Sequence, residues 1–178
     1  LLVYFFFSSS NKMLNSVTVL SKDVKVGVKY QAYNARIKGF TSDGSSFDFR
    51  AESLDPSQID DNVVIITEPK GLVFFPNKER VNFSSNFAIF HITDKNLSFT
   101  GNVMLTDSQG NFINTEELTA DFDKKRLISS RSVNTKTSLG SIKSGGLNYF
   151  YGSNFEKGID TMILNDGVNI EFILDEKK

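Results

Sequence analysis

Three groups of residues in this chain carry side chains able to do chemistry. The first is His91, the single histidine. Histidine serves as a base or a metal ligand, but one imidazole cannot supply the cluster that a roll-type metal site needs. It lies in Phe87-Ala-Ile-Phe-His-Ile-Thr93, which reads as a strand, so His91 reads as a strand-face residue bonded to a neighbour. The second group, Glu116, Glu117, Asp121 and Asp123, could pair carboxylates for glycosidase-type acid and base work. Lys124, Lys125 and Arg126 follow at once, and the group reads as a solvated turn of offsetting charges. The third, Gly140-Ser-Ile-Lys-Ser-Gly-Gly146, lacks the Gly-Lys-Ser/Thr ending and following helix of a phosphate loop and reads as a turn. There is no cysteine, hence no thiol nucleophile, disulfide framework or thiolate metal site, and no serine sits in a Gly-x-Ser-x-Gly elbow. The residues predict a protein that is not an enzyme and uses no metal or cofactor.

Elements that could position a surface rather than a catalyst are plentiful. The chain has 178 residues, 39% hydrophobic and 23% charged, enough for one domain with a real core. Net charge is −1 and the pI near 5.9, which gives no chain-wide footprint for nucleic acid. Seventeen Phe, no Trp and only three Pro favour strands. Leu97, Phe99, Val103 and Leu105 share one parity, the mark of a strand with one buried face. Asp107 to Asn111 supplies a turn, and Phe112, Leu118, Ala120 and Phe122 continue on even positions, with the chain restarting at Leu127. Further strands are expected at 30–40, 47–51, 63–67, 71–75, 81–83, 87–93, 127–137, 141–151, 161–164 and 167–174. Asp43-Gly44 is a hairpin signal, and 53–61, with Pro56, is the longest break. About a dozen short strands with turn signals every eight to twelve residues argue for an all-β antiparallel roll, sandwich or barrel.

Two features set the ends. Leu1 to Phe7 is an unbroken apolar run that stops at Ser8-Ser-Ser-Asn-Lys12. Seven residues are too few to span a bilayer, which takes roughly 20; the expectation is the end of an N-terminal anchor over 1–7, a linker over 8–16 and the β domain over 17–178. At the other end, Val168, Ile170, Phe172 and Leu174 fall on one face of a last strand whose only internal charge is Glu171. Such an edge is a docking site for another strand. Asn62-Val-Val-Ile, Asn102-Val-Met-Leu, Ser132-Val-Asn-Thr and Gly167-Val-Asn-Ile form a weak repeat, each expected to open a strand, as in stacked hairpins.

These words carry a resemblance. Thr100-Gly-Asn-Val-Met-Leu-Thr-Asp-Ser-Gln-Gly-Asn, Asn114-Thr-Glu-Glu-Leu-Thr-Ala-Asp-Phe-Asp, Lys125-Arg-Leu-Ile-Ser-Ser and Ser132-Val resemble, in order and spacing, the OstA-type repeat of lipopolysaccharide transport proteins. With the apolar N-terminus, the 39–51 hairpin and the length, the whole chain is similar to the LptC family.

The resemblance implies an open, twisted β-jellyroll of stacked antiparallel hairpins whose sheets enclose an apolar groove, behind a single-pass inner-membrane anchor with the main domain in the periplasm. It implies a non-enzymatic conduit. Lipopolysaccharide would be received from an LptBFG-like ABC transporter through the anchor and N-terminal strand. It would then pass to an LptA-like periplasmic bridge protein paired to the C-terminal edge at Val168, Ile170 and Phe172. Residues expected to line the groove and bind lipid are Phe47, Phe49, Phe87, Ile89, Phe99, Val103, Leu105, Leu118 and Phe122, with Asn102, Met104 and Thr106 pointing away. The alternative is a structural β-solenoid interaction module with a closed core and no lipid cargo.

Overall fold

The computed structural model describes residues 17–20, 23–25, 31–40, 46–57, 59–74, 78, 80–121, 124, 126–150 and 161–173. These form fourteen strands: β1 (Val17–Leu20), β2 (Asp23–Lys25), β3 (Gln31–Phe40), β4 (Ser46–Pro56), β5 (Val63–Thr67), β6 (Lys70–Phe74) and β7 (Arg80–Ser84), then β8 (Phe87–His91), β9 (Asn96–Asp107), β10 (Phe112–Asp121), β11 (Arg126–Ser129), β12 (Val133–Thr137), β13 (Gly140–Phe150) and β14 (Thr161–Phe172). All belong to one antiparallel sheet, and no described residue is helical. The fold is an all-β, open β-jellyroll.

The roll arises because long strands serve two layers. The half of β4 after residue 52 pairs with β5, and the half before it with β6. Likewise β9 pairs with β8 and then β7, β10 with β12 and then β11, and β13 with β12 and then β11. The first layer therefore holds β5, β8 and β11, and the second holds β6, β7 and β12. Between them every long strand bends along a common line.

That line has its own chemistry. Left-handed backbone at Gly101 and Asn102 turns β9, and Asp166 and Gly167 do the same for β14. A Cβ at Gly101 would also lie 2.7 Å from the Asn86 side-chain amide, so that side chain would have to shift. Bulges at Thr115/Glu117 and Ser144/Gly146 turn β10 and β13. Bending a ladder frees backbone polar groups, and buried hydroxyls take them up. Ser85 Oγ donates to Phe87 O at 2.9 Å, Ser129 Oγ to Arg131 O at 3.1 Å and Ser144 Oγ to Gly146 O at 3.0 Å. Ser53 bonds Asp55 and, across the sheet, Thr67; Thr115 and Ser129 share a hydroxyl–hydroxyl bond of 3.0 Å. Register puts Val103, Thr115, Val133, Ser144 and Val168 in one cross-strand row, with Ala35 and Ala51 paired on the same line at the other end. Small side chains are needed where the two layers converge.

Away from the line the inner faces carry larger groups. Phe47, Phe49, Phe83 and Phe99 run ring to ring at 6.3, 6.2 and 6.0 Å, the last step crossing from the second layer to the first.

Several expectations need correction. β4 runs on to Pro56, so the break expected at 53–61 starts later. Phe112, paired with Thr106 and Lys136, does not share the register face of Leu118 and Ala120, because the bulge at Thr115/Glu117 flips the parity of β10. The strand expected at 127–137 is two, split at the line, whereas 161–164 and 167–174 join into β14. Gly140–Gly146 is strand rather than turn. Of the four repeat words, those at Asn62 and Ser132 open strands, while Asn102 and Gly167 lie inside them at bends.

Two outcomes test this frame. Ser129→Ala removes the hydroxyl bond to Thr115 and both bonds to the Arg131 backbone, so urea denaturation is expected to show a loss of about 1–3 kcal/mol; an unchanged midpoint would mean that the hydroxyls are dispensable. On the outer face, Arg36 donates to Asp48 from Nε at 2.8 Å and Nη2 at 2.6 Å, and Lys38 approaches to 3.2 Å. The Arg36 hydrogen bonds hold the Asp48 carboxyl down at about 2, against an ordinary value of 3.8. A lowered carboxyl stabilises the fold above its unfolded pKa and ceases to do so as pH falls through the folded one. Asp48→Asn is thus expected to cost about 1 kcal/mol near neutral pH, with the difference from the parent closing between pH 3.8 and about 2.

Candidate functional site

The inner wall is built by register. Leu97, Phe99, Val103 and Leu105 of β9 are buried, and Asn102 and Met104 are exposed. Opposite them Leu118 and Ala120 face inward, Leu118 paired with Phe99. Phe47 is also buried, and Phe49 packs half-buried on the same cluster. Among the expected lining residues, Phe47, Phe49, Phe99, Val103, Leu105 and Leu118 therefore share one interior; Phe122 lies outside the described residues.

Phe87 and Ile89 do not face this interior. They are 52% and 38% exposed on the outer side of β8. Ala88 pairs with Phe99 and Phe90 with Leu97, and cross-strand partners share a face, so the smaller Ala88 is the one turned inward.

Much of the interior is filled, but one end is open. Between the layers lies a cavity of about 260 Å³ lined by Val81, Leu105, Ile113, Leu127, Leu147, Tyr149 and Met162, among others. Of the residues expected from sequence, Leu105 alone borders it. The others were not legible because bulges shift the parity of β10 and β13, although Leu147 and Tyr149 alternate visibly within the strand expected at 141–151. Polar groups sit at its mouth. Burial pushes the Asp107 carboxyl up, but hydrogen bonds from the Asn111 side chain and from the Asn111, Gln109 and Gly110 backbones hold it below its usual value.

Beside the cavity, β14 is a sheet edge that pairs only with β13 among the described strands. Val168, Ile170 and Phe172 are 47%, 47% and 71% exposed. Ile173 N–H donates to Leu139 O at 3.0 Å. Antiparallel alternation then turns Glu171 and Asn169 toward β13, and leaves the N–H groups of Phe172, Ile170 and Val168 aimed at the open side.

The residues able to do chemistry are dispersed. His91 ends β8 between Val63 and Asn96. Glu117 pairs with Arg131 at 3.7 Å, Asp121 with Lys124 at 2.9 Å and Arg126 at 3.9 Å, and Asp123 is outside the described residues. Among the described residues no three His, Asp or Glu side chains gather as metal ligands.

The sequence matches the family described as "Lipopolysaccharide-assembly, LptC-related" over residues 1–151. The chain belongs to the LptC family. A search of curated proteins finds no match. Membership gives this LptC-family protein a role in lipopolysaccharide transport in the cell envelope. No helix among the described residues is long and apolar enough to cross a membrane, and the expected anchor at 1–7 lies outside them. In this LptC-family chain β14 lies beyond the matched segment.

The edge geometry separates two neighbouring substitutions. Ile170→Pro removes an outward N–H and is expected to leave the chain folded, with thermal unfolding within a few degrees of the parent. Glu171→Pro removes a ladder bond to β13 and is expected to lower the transition clearly. Equal effects would refute the assigned alternation.

Proposed function

We propose that this LptC-family protein is a non-enzymatic conduit whose interior shelters the acyl chains of lipopolysaccharide while the head group stays in water. The observation that carries the reading is the apolar cavity at the end of the roll, next to the edge strand β14. Transfer of hydrocarbon out of water is favourable by about 0.8 kcal/mol per methylene, so passage through water needs an unbroken apolar wall. Leu105 borders the cavity; Phe47, Phe49, Phe99, Val103 and Leu118 continue the same wall where side chains fill it. Cargo reaches that closed part only if the layers part. Met162 and Leu164 carry the wall onto β14, whose row of Val168, Ile170 and Phe172 ends at open backbone donors.

In this reading an LptA-like bridge protein adds a strand to β14 and extends the wall, which is strand addition at an exposed edge. The anchor at 1–7 and β1 take cargo from an LptBFG-like transporter at the inner membrane, and 17–178 work in the periplasm.

The test is photo-crosslinking with a photoreactive phenylalanine analogue placed one position at a time. Met162 and Ile113, on the cavity, are expected to capture lipopolysaccharide in cells, and Ile89, on the outer face, is expected to capture none. Absence of adducts from all three sinks the conduit and favours the closed interaction module.

A further inference from the structure

The two outer faces of the roll differ in charge. On the second layer one cross-strand row reads Arg36, Arg50, Lys70, Ser84, Met104, Asn114, Asn134, Lys143, Asn169. Three cations thus stand directly opposite one another on β3, β4 and β6, an arrangement that costs stability. The next row adds Lys38 and Lys136, with Asp48 and Glu171 as its acids, and Arg80 on β7 is a seventh cation. Asp48 engages Arg36 and Lys38, leaving Arg50 and Lys70 exposed and outside every ion pair among the described residues. In β4, β10 and β11 the outer face of the first layer carries Asp55, Glu117 and Asp121 against Arg126. Glu52, Glu68 and Glu116 follow the bend between the two. In a chain of net charge −1, seven cations of the described residues gather on this one face.

That face also carries exposed aromatic rings. Phe40, Ser46, Phe74 and Arg80 form its outermost row, with Phe40 57% and Phe74 44% exposed. Phenylalanine at the rim of a basic surface suits the boundary of an anionic bilayer. There the rings enter the acyl region and the cations meet phosphate.

We propose that the outer face of β3, β4, β6 and β7 docks on an anionic membrane surface, with Phe40 and Phe74 as the inserting groups. Docking by this face presses the β3–β7 end of the roll against the bilayer, with β14 at the other end of the sheet order. The surface is independent of the interior wall, so it stands or falls separately from the conduit reading.

These 178 residues include no cysteine, so single reporters can be placed among them. An environment-sensitive fluorophore on Asn82→Cys, in the basic face, is expected to brighten and shift to the blue on vesicles rich in phosphatidylglycerol. The same label on Ile89→Cys, on the first layer, is expected not to respond. Arg50→Gln and Lys70→Gln should each weaken the Asn82 response about fivefold, the effect of one cation at a charged surface, and Phe40→Ser with Phe74→Ser should abolish the blue shift. Because the reporter reads one face, insertion of residues 1–7 does not mimic the signal. An equal response on phosphatidylcholine vesicles, a response at both labels, or one indifferent to the Gln variants in protein of unchanged circular dichroism would overturn the proposal.

Discussion

Everything in this fold depends on bending antiparallel ladders along one line without leaving buried backbone groups unpaired. A straight sheet of this width would expose its apolar face. Folding it brings the two inner faces together, but the bend breaks hydrogen bonds in every strand that crosses it. The chain answers with hydroxyls that bond two residues ahead, at Ser85, Ser129 and Ser144, and with left-handed backbone or bulges where a strand must turn without ending. Short strands stop at the line, and long ones pass through it.

From that constraint follows the graded interior. Near the line only Ala, Val, Ser and Thr fit. One step out, phenylalanines and leucines fill the space and the core is closed. At the β13–β14 end no further strand among the described residues supplies the opposing side chains, and the interior becomes a cavity and then an exposed row. Closed core and open site are two ends of one surface, distinguished by whether a neighbouring strand is present.

This also explains what was legible in the sequence. β9 was readable because Leu97, Phe99, Val103 and Leu105 keep their parity through the bend. β10 was not, since the extra residue at its bulge moves the inward set from Ile113 and Thr115 to Leu118 and Ala120. Nothing in Asn-Thr-Glu-Glu announces that shift. In β8 both faces are apolar, so alternation carried no information and size misled: Phe87 and Ile89 outrank Ala88 in hydrophobicity, yet pairing with Phe99 decides the matter. The exposed edge at Val168, Ile170 and Phe172 was visible because its parity is undisturbed after Gly167. The cavity was not, because it is made by what β13 lacks opposite it, and a sequence records only what is present.

The row through Val103, Thr115, Val133, Ser144 and Val168 has one more property. Each position is satisfied by the strand before it and asks the same small shape of the strand after it, so the line has translational rather than closed symmetry. It contains no feature that counts strands. A duplicated or deleted hairpin would lengthen or shorten the trough while leaving its cross-section intact, much as links change the length of a chain and not its gauge. Reach, in such an architecture, is a variable that gene duplication can set without redesigning the interior.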